Sequence, residues 1–149
     1  MPALMEWTFS LKEISRVASE FLQHTRDYKV FALHGQMGAG KTTFVHSICD
    51  ILNVDSAVGS PTFSLVNEYD YMTEAGEKQV FHIDLYRIKD EEEALQAGIE
   101  DCLYSGAMCF VEWPEKAPGI FPPHTADVFI SAENEGLRTL KLQYPEGNL

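Results

Sequence analysis

His34-Gly35-Gln36-Met37-Gly38-Ala39-Gly40-Lys41-Thr42-Thr43 decides how this chain is read. Gly35, four intervening residues and Gly40-Lys41-Thr42 have the spacing of a phosphate-binding P-loop. The flanks supply the context that the motif needs. Residues 28–33 (Tyr-Lys-Val-Phe-Ala-Leu) form an apolar run of β-formers, long enough for a buried strand and too short for a helix. After the loop, Phe44, Val45, Ile48, Cys49, Ile51 and Leu52 recur at helical spacing. A chance match to the pattern in a chain of this length is on the order of 1 in 200 even before this strand-to-helix context is counted.

The residue types follow from the charge they must meet. A triphosphate concentrates negative charge, so Gly35, Gly38 and Gly40 let backbone N–H groups approach it as an anion nest at the positive end of a helix. Gln36, Met37, Ala39 and Thr43 complete an ATP-binding stretch in which the backbone does most of the work. Lys41 reaches the β- and γ-phosphates, and Thr42 supplies a hydroxyl to Mg²⁺.

A carboxylate should stand nearby at the C-terminal end of a buried strand, and two compete. Asp84 ends Val-Phe-His-Ile and Glu112 ends Met-Cys-Phe-Val. One holds the metal's water shell while the other orients or deprotonates the attacking water, and the sequence leaves the division open. Ser60-Pro61-Thr62 is a stiff loop whose Thr62 is placed to contact metal or γ-phosphate, although plain loop punctuation reads as well. His82 shares a strand face with Asp84, within reach of a hydrogen bond to it, and a buried structural histidine is the plainer reading. Trp113 offers an aromatic face for a base or a partner, or ordinary packing. Glu91-Glu92-Glu93 sits favourably in the first turn of a short helix.

The rest of the chain reads as alternating elements. A strand at residues 6–9 precedes a helix opened by a Ser10/Glu13 capping box and running to about residue 24. Strands are expected over 63–71 and 80–86 with a hairpin turn between, then an Asp90-capped helix over 91–97 that Gly98 ends. A strand over 107–111, a proline-rich loop and two strands over 126–131 and 137–144 follow. The expected fold is α/β, a three-layer P-loop NTPase fold with a mixed, mainly parallel central sheet flanked by helices, residues 1–149 forming a single domain.

Composition bounds the function. The 149 residues carry 11 Lys+Arg against 23 Asp+Glu, a net charge of −12, and 45% of residues are hydrophobic. Such a charge repels nucleic acid and anionic membrane alike, so independent nucleic-acid binding is not expected and a partner must hold any RNA. Cys49, Cys102 and Cys109 form no Cys-x-x-Cys pair, which argues against a disulfide framework or zinc knuckle. No apolar run approaches a membrane span and the N-terminal residues lack a basic, then apolar, leader pattern, so the expected location is cytoplasmic.

Four segments together carry a resemblance. Gly35-Gln-Met-Gly-Ala-Gly-Lys-Thr42, Ser60-Pro-Thr-Phe63, His82-Ile-Asp-Leu-Tyr-Arg87 and Val111-Glu-Trp-Pro-Glu115 occur in the order and spacing of the bacterial TsaE family. The resemblance implies a small P-loop ATPase needed for threonylcarbamoyladenosine modification of tRNA next to the anticodon, acting with the TsaB–TsaD complex. It implies that Lys41 and Thr42 bind ATP and Mg²⁺, that Asp84 and Glu112 are the acidic metal and catalytic groups, that Thr62 lies in a switch-like loop, and that Trp113 stands beside the nucleotide. Gln36-Met37 departs from the acid-plus-leucine common after the first glycine, at positions that contribute backbone.

Two other functions share the P-loop. A small-molecule kinase usually clamps two phosphorylated substrates with several arginines, and this chain has only Arg16, Arg26, Arg87 and Arg138, scattered. A nucleotide-gated binding module would hold ATP with little hydrolysis. A GTPase lacks support, since no Asn-Lys-x-Asp motif occurs.

Overall fold

Val30–His34 (β2), the apolar run ahead of the glycine loop, lies at the centre of a seven-stranded sheet. The computed structural model describes residues 4–54, 65–134 and 136–145. The other strands are Leu4–Phe9 (β1), Val66–Thr73 (β3), Gly76–Asp84 (β4), Met108–Glu112 (β5), Thr125–Ala132 (β6) and Arg138–Gln143 (β7). Their order is β1-β7-β6-β2-β5-β4-β3. The inner four, β6, β2, β5 and β4, are mutually parallel, and the flanking pairs are antiparallel. This is the mixed sheet with a parallel core that the alternation of elements leads one to expect.

Helices cover both faces. Ile14–His24 (α1) and Lys41–Leu52 (α2) pack on one side, where Val17, Ala18 and Phe21 meet Phe44, Val45 and Ile48. Phe21 stands at 5.1 Å from both Phe31 and Phe44, ring centre to ring centre. Glu91–Gln96 (α3) and Ile99–Leu103 (α4) cover the other side, over Val30, Ile83, Cys109 and Val111. Each fully buried large apolar side chain contributes roughly 1.5–3 kcal/mol, so the two layers hold β2 and β5 from both sides.

Local chemistry explains the boundaries. The Glu13 carboxylate accepts the Ser10 N–H at 2.9 Å and opens a short 3-10 turn that leads into α1. Asp90 Oδ1 accepts the Glu93 N–H at 3.0 Å, as a helix cap should. Gly98, at φ +80°, ends α3 and at once begins α4, an element that the sequence reading leaves out. β4 stops at Asp84, earlier than expected, because the Asp84 carboxylate takes the Tyr86 N–H at 3.0 Å and turns the chain. At its other end β4 begins at Gly76, since the two-residue turn Glu74-Ala75 lets the polar residues 76–79 pair with β3. Ser60-Pro61-Thr62 lies outside the described residues, as does the start of the strand expected at residue 63.

Candidate phosphate-binding site

Because the four central strands are parallel, β2, β4 and β5 deliver Gly35, Asp84 and Glu112 to one edge of the sheet. Asp84 and Glu112 are direct partners in the β4–β5 register. The loop between β2 and α2 then wraps across that edge. Gly38 and Gly40 adopt φ +82° and +109°, left-handed geometry that other residues strain to reach. Gly35 is fixed by proximity instead, since a Cβ there would lie 2.5 Å from the Ile130 carbonyl oxygen. Gln36 and Met37 are exposed, Met37 at the rim of the cavity beside the loop, and Ala39 N–H closes a turn on the Gln36 carbonyl at 3.0 Å.

Lys41 is buried at the first position of α2. Its ammonium donates to the Gly35 carbonyl at 2.6 Å and stands 3.7 Å from the centre of the Trp113 ring. Burial pulls its pKa below the ordinary lysine value, partly offset by Glu112, Glu115 and Asp84. Trp113 holds that place at φ 59°, ψ 51°, directly before Pro114. Left-handed geometry in a bulky residue costs of order 1–3 kcal/mol, a strain that the surrounding packing sustains, including Tyr86 at 5.1 Å.

The hydroxyl of Thr42 donates to Glu112 Oε2 at 2.8 Å, and His82 Nε2 lies 2.6 Å from the same oxygen. His82 is buried, as the plainer reading has it, and the hydrogen bond considered toward Asp84 goes to Glu112 instead. His82 stands opposite Phe110, so Glu112 is its diagonal neighbour across the β4–β5 register. Asp84, further along, turns instead to the Tyr86 N–H. Burial pushes the Glu112 carboxyl up, but the hydrogen bonds from His82 and Thr42 and the charges of His82 and Lys41 outweigh it, leaving the group below its usual value.

A cavity of about 300 Å³ runs between the loop and the strand ends, bounded by Gly38, Lys41, Thr42, Thr43, Asp84, Glu112 and Trp113 among others. A second, of about 450 Å³, lies on the far side of the loop against His34, Phe129 and Ser131. There the His34 ring stacks on Phe129 at 4.5 Å and bonds Asp127 at 2.8 Å. Arg138 Nε donates to the Ala39 carbonyl at 3.1 Å, tying the loop to β7. Sequence reasoning missed Arg138 and His34: their partners lie 99 and 93 positions away, and no local pattern marks such contacts.

Thr42 and the two carboxylates are hard oxygen donors, a set suited to Mg²⁺. Among the described residues no group of three or more His, Cys, Asp or Glu side chains converges as a metal cage, so an ion held here would need further ligands from outside the protein.

The family model described as "Threonylcarbamoyl adenosine biosynthesis protein TsaE" matches residues 8–140. The chain belongs to the TsaE family. Among relatives named tRNA threonylcarbamoyladenosine biosynthesis protein TsaE, that of Haemophilus influenzae is 36% identical over 127 residues, covering 84% of this chain and 77% of its own. The Bacillus subtilis protein of the same name is 28% identical over 137 residues, covering 91% and 83%. The crystal structure of Bacillus subtilis YdiB has the same fold, with a TM-score of 0.66 at 21% identity over 97% of this chain and 88% of that one. Family and fold make this TsaE-family chain a P-loop, nucleotide-binding protein. Among the described residues no helix is long and apolar enough to cross a membrane.

Proposed function

We propose that this chain is a Mg²⁺-dependent ATPase that serves threonylcarbamoyladenosine modification of tRNA next to the anticodon, in the cytoplasm and together with a TsaB–TsaD complex. The observation that carries the hydrolytic reading is the buried Glu112 carboxylate, tied to Thr42 of the phosphate loop and ionised beside Lys41. The backbone from Gly35 to Thr43 cradles the phosphates of ATP, and Lys41 leaves the Gly35 carbonyl to neutralise them. Thr42, Asp84 and Glu112 would hold Mg²⁺, which when bound neutralises charge developing on the phosphate oxygens. Glu112 has two oxygens for two tasks. Oε2 is held by protein donors, while Oε1, which accepts no hydrogen bond from the described residues, faces the work of orienting water and receiving its proton. Trp113 covers Lys41 and shields the phosphate end from solvent.

The role in tRNA modification rests on the family's name, and the net charge of −12 supports a division of labour in which the partner complex holds the tRNA. Arg138 lends no support to a kinase reading, since it spends its Nε on the Ala39 carbonyl. The test is phosphate release from Mg·ATP by the pure protein, alone and with TsaB–TsaD, with Lys41→Ala as control. Turnover that rises with the complex and vanishes in the variant supports the proposal. Tight ATP binding with no phosphate release in either condition refutes hydrolysis in favour of a nucleotide-gated binding module.

A further inference from the structure

We infer that His82 is a positioning residue for Glu112, holding one carboxylate oxygen so that the other is aimed into the phosphate cavity; the inference rests on the ATPase reading above. His82 is 6% exposed and lies on the face of β4 that packs toward α2, where an apolar residue would satisfy packing alone. Instead its Nδ1 is buried with no hydrogen-bond partner among the described residues. A buried polar atom left unpaired calls for an explanation at the other end of the ring. There Nε2 lies 2.6 Å from Glu112 Oε2. Oε2 already accepts the Thr42 hydroxyl, and a carboxylate oxygen that accepts there accepts from the imidazole as well, so the proton of that bond sits on Nε2.

Thr42 is the second donor to Oε2, at 2.8 Å, but its hydroxyl is also the group that would hold the metal. The bond from His82 makes no such double demand. It comes from a strand locked in register between β3 and β5, and the ring stands nearly perpendicular to that of His46, 6.3 Å between centres. His82 is thus the hold on Glu112 that persists when Thr42 turns to another ligand. Leaving the phosphates untouched, it acts on the chemical step rather than on nucleotide affinity.

The experiment compares wild type, His82→Leu, His82→Gln, Glu112→Gln and the His82→Leu/Glu112→Gln double variant in Mg·ATP turnover with TsaB–TsaD, with a thermal melt of each. Loss of a supporting partner behind a site ligand typically costs about 10- to 100-fold in activity. His82→Leu is therefore expected to lower kcat about 10-fold or more with KM within about twofold of wild type. Glutamine, whose amide N–H can stand in for Nε2, restores most of the loss, and His82→Leu adds nothing in the Glu112→Gln background. Equal effects of Leu and Gln, a change confined to KM, or additive losses in the double variant overturn the inference. Imidazole ¹⁵N spectra of the unliganded protein give a readout independent of turnover. A protonated Nε2 whose signal shifts in Glu112→Gln is expected, and an unprotonated Nε2 overturns the inference. Absence of wild-type turnover with the complex would count against the ATPase reading, while the spectra would still decide whether His82 holds Glu112.

Discussion

Replacing Gly35 by alanine tests the packing of the phosphate loop directly. The new Cβ would sit 2.5 Å from the Ile130 carbonyl oxygen, where ordinary contact begins at 3.4 Å, so about 0.9 Å must be found. No flexible side chain can yield it, because the obstacle is main chain. Ile130 pairs with Leu140 of β7 and stands one residue beyond the last β2–β6 pair, His34 with Phe129. Overpacking of this kind costs about 1–3 kcal/mol, which for a domain of this size lowers Tm by about 2–12 °C. Gly38→Ala is the control: its Cβ meets nothing within 4 Å, so it bears only the strain of φ +82°. Thermal melts of both variants, joined to hydrogen exchange across β6, should show β6 protection falling in Gly35→Ala alone, and calorimetric titration should show at least tenfold weaker Mg·ATP binding there. A Gly35→Ala protein that melts within about 1 °C of wild type, with β6 protection unchanged, would refute the argument.

In phosphate-release assays, Thr42→Ala and Asp84→Ala should weaken metal-dependent turnover, while Glu112→Ala lowers turnover more than calorimetric ATP affinity; wild-type rates in all three would remove them from the site. Phe21→Ala empties the centre of an aromatic cluster with Phe31, Phe44 and Phe110 and should cost about 3–5 kcal/mol in urea unfolding. Burial pushes the Cys109 thiol up to about 12 from its ordinary 9.0. The unfolded thiol therefore ionises first, and this contribution to stability, fully present below pH 9.0, is lost as pH rises through that window. Cys109→Ala should accordingly gain on wild type between pH 8 and about 10.5 in urea melts, and parallel curves would refute the assignment.

The parts of the fold that depend on neighbouring residues were legible in the sequence. Gly35 to Thr42 needs only its own spacing, and the Ser10/Glu13 box at the 3-10 turn ahead of α1 and the capping of α3 by Asp90 are settled within four residues. An apolar run followed by an acid marked Asp84 and Glu112, and a parallel register sets them side by side. What escaped is whatever depends on the order of strands in space. His82 shares a strand with Asp84, so chain proximity favoured that pair. The bond to Glu112 becomes visible only once β4 is laid against β5, 30 residues away. Arg138 alternates on a terminal strand like any surface residue, and its reach to Ala39 requires knowing that β7 lies one strand beyond β6.

The placement of β2 also governs when the molecule can come into being. Both of its neighbours are late: β5 begins at Met108 and β6 at Thr125, while the opening strand β1 waits for β7 at residues 138–143. The contacts that pack the glycine loop against β6 and β7, Gly35 at the Ile130 carbonyl and Arg138 at the Ala39 carbonyl 99 positions away, can form only after those strands have been made. Full closure of the phosphate loop is in this way expected to follow synthesis of β6 and β7 rather than of the loop itself.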